Sequence, residues 1–421
     1  MYQEKTCRIL SINRKRIEGA LQELSQIGRN PGGGIDRPFG SAADRSARSW
    51  MIRYWKECLR LQARVDPAAN IWVKKDGSEP LPPIYLGSHL DTVPNGGMYD
   101  GALGVLLATE VLVTIQEKNI SMRHPVGVVS FTGEEPNPFR ISTLGSKAVA
   151  GRLNEKCIRQ TGNREALADA LAKAGGDLGR LAEARIQPGR IAAFLECHIE
   201  QGRRLFDRKL SIATVSCITG IYREIVTVSG EANHAGTTMP RDRRDALLAA
   251  SELDLALEAI IAEIGRDDVV ATIGKIAAFP NAANIIPGTV AMTVDVRTCS
   301  ERRKNEVVRR FHAAAQAIAE KRRVTVRHDV NLDQAACDMD ADVMNALNRG
   351  ARLRHEPATE LVSMAGHDSA NMSRVAKTGM LFVQSIDGKS HCPEEKTSPD
   401  AIAKAGGVLL KALMILDREM D

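Results

Sequence analysis

The sequence predicts an α/β protein with a second, α+β domain inserted into the first. Short apolar runs that end in polar motifs alternate with helical patterns, and this arrangement changes near residue 210. Buried strands that alternate with helices are typical of an α/β sheet. At roughly 100–200 residues per domain, 421 residues suit two domains. We place the first domain at 1–210 and 332–421, and the inserted domain at 211–331.

The elements of the first domain follow from its periodicity. Amphipathic or apolar helical patterns are predicted at 12–30, 43–63, 101–118, 164–184, 339–354 and 399–419. Buried strands are predicted at 84–86, 126–131, 191–195 and 379–385. Three of these strands run into His89, the pair Glu134-Glu135 and His198. Because α/β sheets bind ligands at strand ends, these side chains are candidates for a site.

The inserted segment has a different order of elements. Strands are predicted at 223–229, 269–277, 290–297 and 324–330, with helices at 242–264 and 301–319. The order is strand, helix, strand, strand, helix, strand, which is the split unit of a ferredoxin-like layer.

Composition excludes several classes of protein. The net charge is +5, with Lys and Arg scattered and 4% aromatic residues, so we expect no nucleic-acid partner. This mildly basic balance suits small anionic substrates. The longest apolar run, 105–115, contains Glu110 and is too short to span a membrane, so no membrane partner is expected.

The cysteines and the first residues bear on location. The 8 cysteines include no CxxC pair, which predicts free thiols in a reducing compartment. The first residues lack the uninterrupted apolar stretch of a signal peptide. We therefore expect a cytoplasmic protein.

Five short segments carry the chemistry. They are GSHLDTVPNGGMYDG from Gly87, GEEPNPF from Gly133, CHIEQG from Cys197, NHAGTTM from Asn233 and SHCPEE from Ser390. Histidines, an aspartate and a Glu-Glu pair can bind two divalent cations and leave one carboxylate as a base. Each segment alone has a plainer interpretation, such as a turn, a helix cap or a surface loop. The ordered set predicts a two-metal hydrolase.

Individual residues suggest roles. His89 can bind a metal while Asp91 accepts its other ring N–H, and the two oxygens of Asp100 can bridge two cations. One of the adjacent glutamates can bind metal while the other acts as general base and acid. In the inserted domain, His234 is a candidate oxyanion donor. Asn284 is a candidate for a polar contact with the substrate, and Arg297 is a candidate clamp for a substrate carboxylate.

These motifs together resemble the dinuclear-metal amidohydrolases related to aminoacylases and dipeptidases. Within that group the chain is similar to the hydantoinase/carbamoylase branch, which includes N-carbamoyl-L-amino-acid hydrolases, allantoate amidohydrolases and β-ureidopropionases. The residues that carry the resemblance are GSHLDTVPNGGMYDGALGV, HIEQG, HAGTT with RRDA, NIIPG, DVR, AGHD and SHCPEE. It runs from about residue 17 to the end. It implies a mixed-sheet, metallopeptidase-like catalytic domain with an inserted ferredoxin-like dimerisation or lid domain.

The resemblance also implies a ligand set. His89 and His198 would hold one metal ion, Glu135 and His391 the other, and Asp100 would bridge them. The cofactors would be two divalent ions per subunit, as zinc, manganese or cobalt.

Further roles carry over in the same way. Glu134 would be the general base. His234, Asn284 and Arg297 match positions that, in this family, reach the substrate of the neighbouring subunit. The resemblance therefore implies a homodimer through 211–331. Substrate-loop positions match Gln201, Gly366 and His367.

The expected reaction is hydrolysis of the ureido C–N bond of an N-carbamoyl-L-amino acid or related ureido acid, giving amino acid, ammonia and carbon dioxide. An alternative keeps the metal site but cleaves an ordinary amide, as in an N-acyl amino acid, an amino-acid conjugate or a dipeptide. Either substrate is a small molecule with a carboxylate. A catalytically inactive binding protein would have lost a ligand or the base, and none is lost. The loops at 136–138, 203–206 and 239–240 depart from the family pattern and bear on substrate choice.

Overall fold

The chain divides into two units with different sheets. The computed structural model describes residues 11–159 and 161–420. The first unit contains the chain up to Ser216, Met339–Leu361 and the chain from Gly366; the second contains Cys217–Asp338 and Val362–Ala365. The second unit starts later than residue 211 because Ile212 to Val215 pair with a strand of the first unit's sheet.

In the first unit, helices and strands alternate along most of the chain. The helices are α1 (Arg14–Leu24), α2 (Ala42–Cys58), α3 (Ala102–Glu117), α4 (Leu144–Val149), α5 (Glu155–Arg159), α6 (Arg164–Lys173), α7 (Arg204–Asp207), α10 (Ala341–Leu353), α11 (Ser369–Met372) and α12 (Pro399–Glu419). The strands are β1 (Arg64–Val65), β2 (Ile71–Lys75), β3 (Ile84–His89), β4 (Val126–Phe131), β5 (Ala193–Ile199), β6 (Ile212–Ile218), β14 (Glu360–Ser363) and β15 (Lys377–Val383).

These strands form one mixed sheet. Its order is β1-β2-β4-β3-β5-β15-β6-β13, where β13 is Cys337–Asp338, and β14 pairs β6 off this path. The central pairs β3 with β4, β3 with β5, and β5 with β15 are parallel, whereas β2 and β6 pair antiparallel with their neighbours. In register, Leu86 lies opposite both Val128 and Leu195. The carboxyl ends of β3, β4 and β5 therefore reach the same edge of the sheet.

The sheet is buried on both faces. Alternate residues of a strand point to opposite faces. Val128 and Leu195 belong to the core shared with α1, α2, α3, α10 and α12, whereas Val129 and Phe194 belong to a smaller apolar cluster with Met372. A sheet covered on both faces explains why the strands read as continuous apolar runs.

Local signals explain where the helices begin and end. Helix α12 begins at Pro399, where the side chain of Ser398 accepts the N–H of Ala401. The helix predicted for 164–184 is interrupted, because α6 ends at Lys173 and Gly175 follows with a φ of +88°. A 3₁₀ helix, Leu178–Ala184, takes its place. Among the described residues, no helix is long and apolar enough to cross a membrane.

The six long elements of the second unit have the predicted order, and three two-residue strands are added to them. Its elements are β7 (Gly220–Ser229), β8 (Asn233–His234), α8 (Ala246–Ile264), β9 (Val269–Phe279), β10 (Ile285–Ile286), β11 (Thr289–Thr298), α9 (Glu301–Arg322), β12 (Thr325–Gln334) and β13 (Cys337–Asp338). Four strands form an antiparallel sheet in the order β12-β7-β11-β9, and β8 pairs with β10. One face of the four-stranded sheet packs against α8 and α9 around residues such as Val294 and Phe311.

Candidate metal centre

The three central parallel strands bring the polar motifs together. His89 is the last residue of β3, the acidic pair Glu134-Glu135 follows β4, and His198 lies near the end of β5. The loop after β15 contributes His391 from almost two hundred residues further along the chain. Because these strands are parallel and in register, their following segments meet at one edge of the sheet.

Asp100 lies at the centre of this group. Its Oδ1 is 3.5 Å from His89 Nε2 and 3.2 Å from His198 Nε2. Its Oδ2 is 3.5 Å from His391 Nε2, which in turn lies 3.2 Å from Glu135 Oε1. The two oxygens of one carboxylate therefore face two different sets of ligand atoms. Within each set, the ligand atoms lie within 4.8 Å of one another.

Backbone contacts prepare two of the histidines for metal. His89 Nδ1 lies 3.0 Å from the carbonyl oxygen of Asp91, and His198 Nδ1 lies 2.9 Å from that of Ile199. A ring nitrogen that donates to a carbonyl carries the proton, so the other nitrogen has a free lone pair. In both residues this is Nε2, the atom that faces Asp100.

A divalent cation fits these donors. His198 Nε2 is buried and makes no hydrogen bond with the described residues, and a buried polar atom of this kind requires a partner. Imidazole and carboxylate ligands suit zinc, manganese and cobalt. One ion would be held by His89, His198 and Asp100, and a second by Asp100, Glu135 and His391. The same grouping was implied by the family resemblance, and the ligand roles of these residues stay predictions.

The carboxylates of the site raise the pKa of two of its histidines. Burial would lower the pKa of His89, but the hydrogen bond to Asp100 and the charges of Glu134 and Asp91 raise that pKa well above its ordinary value. Hydrogen bonds to Asp100 and Glu135 raise the pKa of His391 to about 10. The carboxylates thus favour positive charge at both histidines, and a bound cation would supply that charge instead.

Glu134 lies beside the first set of ligand atoms rather than between the two sets. It is buried, and its Oε2 lies 3.8 Å from His89 Nε2, beside the first set of ligand atoms. Burial raises the pKa of Glu134 well above its ordinary value, and the charge of Glu135 raises it further. A carboxyl group with a raised pKa holds a proton more readily, which suits general acid–base catalysis.

Asp91 has a different role from the one predicted. Its carboxylate lies 3.7 Å from His89 Nδ1, which contacts the Asp91 backbone carbonyl instead. The carboxylate oxygens accept the backbone N–H groups of Glu134 and Glu135, at 3.2 and 3.1 Å. Asp91 therefore fixes the acidic loop, since adjacent N–H groups in a bent segment converge on one carboxylate.

Two supporting residues were missed by the sequence analysis. Glu395 accepts the backbone N–H groups of Tyr99 and Asp100, at 2.8 and 3.0 Å. Ser390 Oγ donates to Asp100 Oδ2 and lies 3.0 Å from Glu395 Oε2 as well. They hold the bridging aspartate against the loop of His391. Both residues belong to the motif SHCPEE, so the sequence did mark their segment. Their spacing within the motif does not show that they contact Asp100.

Gly101 is required beside the first histidine. Its φ is +64°, and a Cβ at this position would lie 2.3 Å from His89 Cε1. Only glycine tolerates both the positive φ and this close approach. The loop can therefore bring Asp100 to the histidine rings.

The substrate-loop candidates divide into two kinds. Gln201 donates through Nε2 to Asp100 Oδ2 at 2.7 Å and so lies at the metal centre. His367 is buried, with its ring 4.6 Å from that of His198. Burial, together with the charge of His198, lowers the pKa of His367 well below its ordinary value. A Cβ at Gly366 would meet no atom within 4 Å, so the backbone there borders open space.

The remaining candidates lie in the second unit. His234 and Asn284 are neighbours, because the N–H of Ala235 donates to the Asn284 carbonyl and β8 pairs with β10. Arg297 at the end of β11 donates to Asp295 and to the carbonyl of Met364, at 2.8 and 2.9 Å. These contacts hold the guanidinium in one position. The described contacts of these residues do not include the metal ligands, so their catalytic and substrate roles stay predictions.

Comparison with known proteins places this geometry in context. The sequence profile described as Peptidase family M20/M25/M40 matches residues 85–415. An N-carbamoyl-L-amino acid amidohydrolase from Geobacillus stearothermophilus is 34% identical over 400 residues, covering 94% of this chain and 97% of its own. A ureidoglycolate hydrolase from Arabidopsis thaliana is 34% identical over 425 residues, covering 98% and 88%.

A solved structure is similar throughout. The amidase of the hydantoinase/carbamoylase family from Burkholderia multivorans has a TM-score of 0.87 at 29% identity, covering 96% of this chain and 98% of that one. These matches confirm the predicted mixed α/β fold and the predicted resemblance to the hydantoinase/carbamoylase branch.

Proposed function

The chain belongs to peptidase family M20/M25/M40, a family of metal-dependent hydrolases, and on that premise we propose that it cleaves a ureido C–N bond. The substrate would be an N-carbamoyl-L-amino acid or a related ureido acid. The observation that carries the proposal is the division of Asp100 between two sets of ligand atoms, with Glu134 beside them. The names of the relatives from Geobacillus stearothermophilus and Arabidopsis thaliana support the choice of bond.

The ligand set favours two divalent ions per subunit, as zinc, manganese or cobalt. Bound ions of this kind polarise a carbonyl group and make a water molecule more acidic. Asp100 would hold both, because each of its oxygens faces a different set of ligands. His89 and His198 would bind through Nε2, since their Nδ1 atoms contact backbone carbonyls.

Glu134 would move the protons. Its buried carboxylate accepts a proton from the attacking water and returns it to the leaving amine. The reaction consumes one water: the bond between the amine nitrogen and the carbamoyl carbon breaks, and the carbamic acid released decomposes to ammonia and carbon dioxide. Asp91 keeps the base in position through the backbone of the acidic loop.

Substrate contacts are proposed from the resemblance and from local geometry. Gln201 contacts Asp100 directly and can donate to a substrate atom at the same place. His234 is assigned to the oxyanion, Asn284 to a polar group and Arg297 to the carboxylate. For these three, an alanine variant should raise KM or lower kcat with no change in metal content.

A homodimer through the second unit is part of the proposal. Strand β9 is an edge of its sheet and exposes Ile276 and Phe279, and helix α8 of the same unit exposes Leu255. An unpaired strand edge with exposed apolar side chains favours packing against a second copy of the chain. Replacing Leu255 and Ile276 by Glu should give a monomer by light scattering after gel filtration. Leu353→Glu, at an exposed apolar residue of the first unit, should leave the dimer intact.

We also propose a cytoplasmic location. The cysteines of the described residues are all free, and a reducing compartment keeps thiols in that state.

The experiment that tests the reaction measures two products together. Protein reconstituted with zinc, manganese or cobalt is incubated with N-carbamoyl-L-amino acids, allantoate, ureidoglycolate and N-acyl amino acids, and ammonia and free amine are quantified. Ammonia and amine in equal amounts from an N-carbamoyl-L-amino acid are expected. Amine without ammonia, from acyl substrates only, would overturn the ureido assignment in favour of ordinary amide hydrolysis.

A further inference from the structure

A buried carboxylate lies in the apolar core of the second unit. On β7 the side chains that face the helices are Tyr222, Glu224, Val226 and Val228, and all four are buried. Glu224 is 0% exposed. Removing an ionised carboxylate from water is costly unless other groups pair with it. The carboxylate must therefore be matched by the side chains around it.

Three side chains meet this carboxylate from three different elements. His312 Nε2, on α9, lies 3.0 Å from Glu224 Oε2, and His328 Nδ1, on β12, lies 3.2 Å from Oε1. Tyr222, two residues away on β7, donates its hydroxyl to Oε2 at 2.8 Å. Two imidazole nitrogens thus converge on one carboxylate between a helix and a sheet.

The two imidazole rings are close to each other. Their centroids are 4.0 Å apart, at an interplanar angle of 46°. Their carboxylate-facing nitrogens can therefore share one ion, because a divalent cation binds two neutral imidazoles and one carboxylate at the same time.

The distances suit a small tetrahedral cation. Zinc binds histidine nitrogen and carboxylate oxygen at about 2.0–2.2 Å, so ligand atoms of a tetrahedral site lie about 3.3 Å apart. The nitrogen-to-oxygen distances here are 3.0 and 3.2 Å, and all three ligand atoms lie within 4.8 Å of one another. The side chains of His312 and His328 are 36% and 22% exposed, which leaves a route for an ion and a water ligand.

We propose that Glu224, His312 and His328 form a zinc site in the second unit, in addition to the metal centre of the first. Two imidazoles favour zinc over magnesium or calcium, which prefer oxygen ligands. Tyr222 orients the carboxylate by its hydrogen bond, as outer partners of metal ligands do. The ion would fix helix α9 to strands β7 and β12. This inference is independent of the reaction proposed for the first unit.

The test compares the zinc content of matched full-length variants. The double variant His312→Gln/His328→Asn keeps a hydrogen-bond donor near each lost nitrogen but removes both imidazole ligands. After dialysis against zinc, plasma mass spectrometry should show one zinc equivalent fewer per chain than in the wild type. His355→Gln, at an exposed histidine outside the metal-binding groups, should bind as much zinc as the wild type. Tyr222→Phe should weaken zinc binding at this site by roughly 10–100-fold.

A second measurement covers the case in which the double variant does not fold. Wild-type crystals grown with zinc should give an anomalous difference peak at the zinc edge between Glu224, His312 and His328. Peaks at the metal centre of the first unit are counted separately, so failure there would not affect this result. Unchanged zinc content in the folded double variant, or no peak between the two rings, would show a hydrogen-bonded network only and would overturn the proposal.

Discussion

Replacing Glu134 by Gln tests the assignment of the general base. The amide keeps the size of the side chain and its place beside His89, but it cannot accept a proton from water. General acid–base catalysis contributes about 10²- to 10⁴-fold, which corresponds to about 3–5 kcal/mol of transition-state stabilisation. The upper part of that range is expected, because the base is buried and the adjacent carboxylate of Glu135 lies 3.2 Å from His391 Nε2 instead. Glu134→Gln should therefore lower kcat by about 10³–10⁴-fold.

The assay must separate chemistry from metal binding. Initial rates of ammonia release are measured at saturating substrate, and metal content is measured on the same preparation. Glu183→Gln is the matched control, since this exposed glutamate pairs with Arg180 on the surface, and it should keep the wild-type rate. A Glu134→Gln rate within about threefold of wild type would refute the assignment of the base, because general acid–base catalysis contributes far more than that. A variant that loses activity only in proportion to its loss of metal would refute it as well.

Three further changes test the support of the site and the stability of the second unit. Gly101→Ala should weaken metal binding by at least about tenfold, because the added methyl group collides with the His89 ring. Gly19→Ala should leave metal affinity unchanged, since a Cβ there meets no atom within 4 Å. Titration with a metal indicator compares the two affinities. Asp91→Ala leaves two buried N–H groups of the acidic loop without an acceptor, so unfolding should become easier by about 1–3 kcal/mol and kcat should fall; denaturant melts and rates measure both. Burial would raise the pKa of Asp295, but its two arginine partners lower it. Its contribution to stability is therefore present above its ordinary pKa of about 3.9 and lost as pH falls through the lowered value. Asp295→Asn should destabilise the protein at neutral pH and reduce the further loss in acid; equal urea midpoints for variant and wild type at neutral pH would contradict this.

Much of the fold could be predicted because its elements are encoded locally. Apolar runs at period two or without polar interruption gave the central strands, and the segment Val126–Phe131 was placed at its observed bounds. The last helix was likewise placed at its observed bounds, Pro399–Glu419. Where two signals competed, prediction failed: the Ala-rich segment after Arg164 favours a helix, but the glycines after Lys173 end it.

The type and order of the polar residues predicted the chemistry of the metal centre. Histidines and carboxylates at strand ends indicated a two-metal site, and the resemblance to the hydantoinase/carbamoylase branch implied which residue binds which ion. The motifs do not show which hydrogen-bond partner each residue around the ligands has. The carboxylate of Asp91 was expected to accept a ring N–H of His89, but it accepts the backbone N–H groups of Glu134 and Glu135, and the backbone carbonyl of Asp91 contacts His89 instead.

Only the tertiary structure decided which distant residues meet. The sequence by itself determined the strand ends, the metal-binding residue types and the helix caps, since each depends on neighbours within a few positions. The division of Asp100 between two ligand sets and the meeting of Glu224 with His312 and His328 depend on strand register and helix packing across many tens of residues. No local pattern specifies those contacts, because each residue type there has an ordinary interpretation until the fold supplies its neighbours.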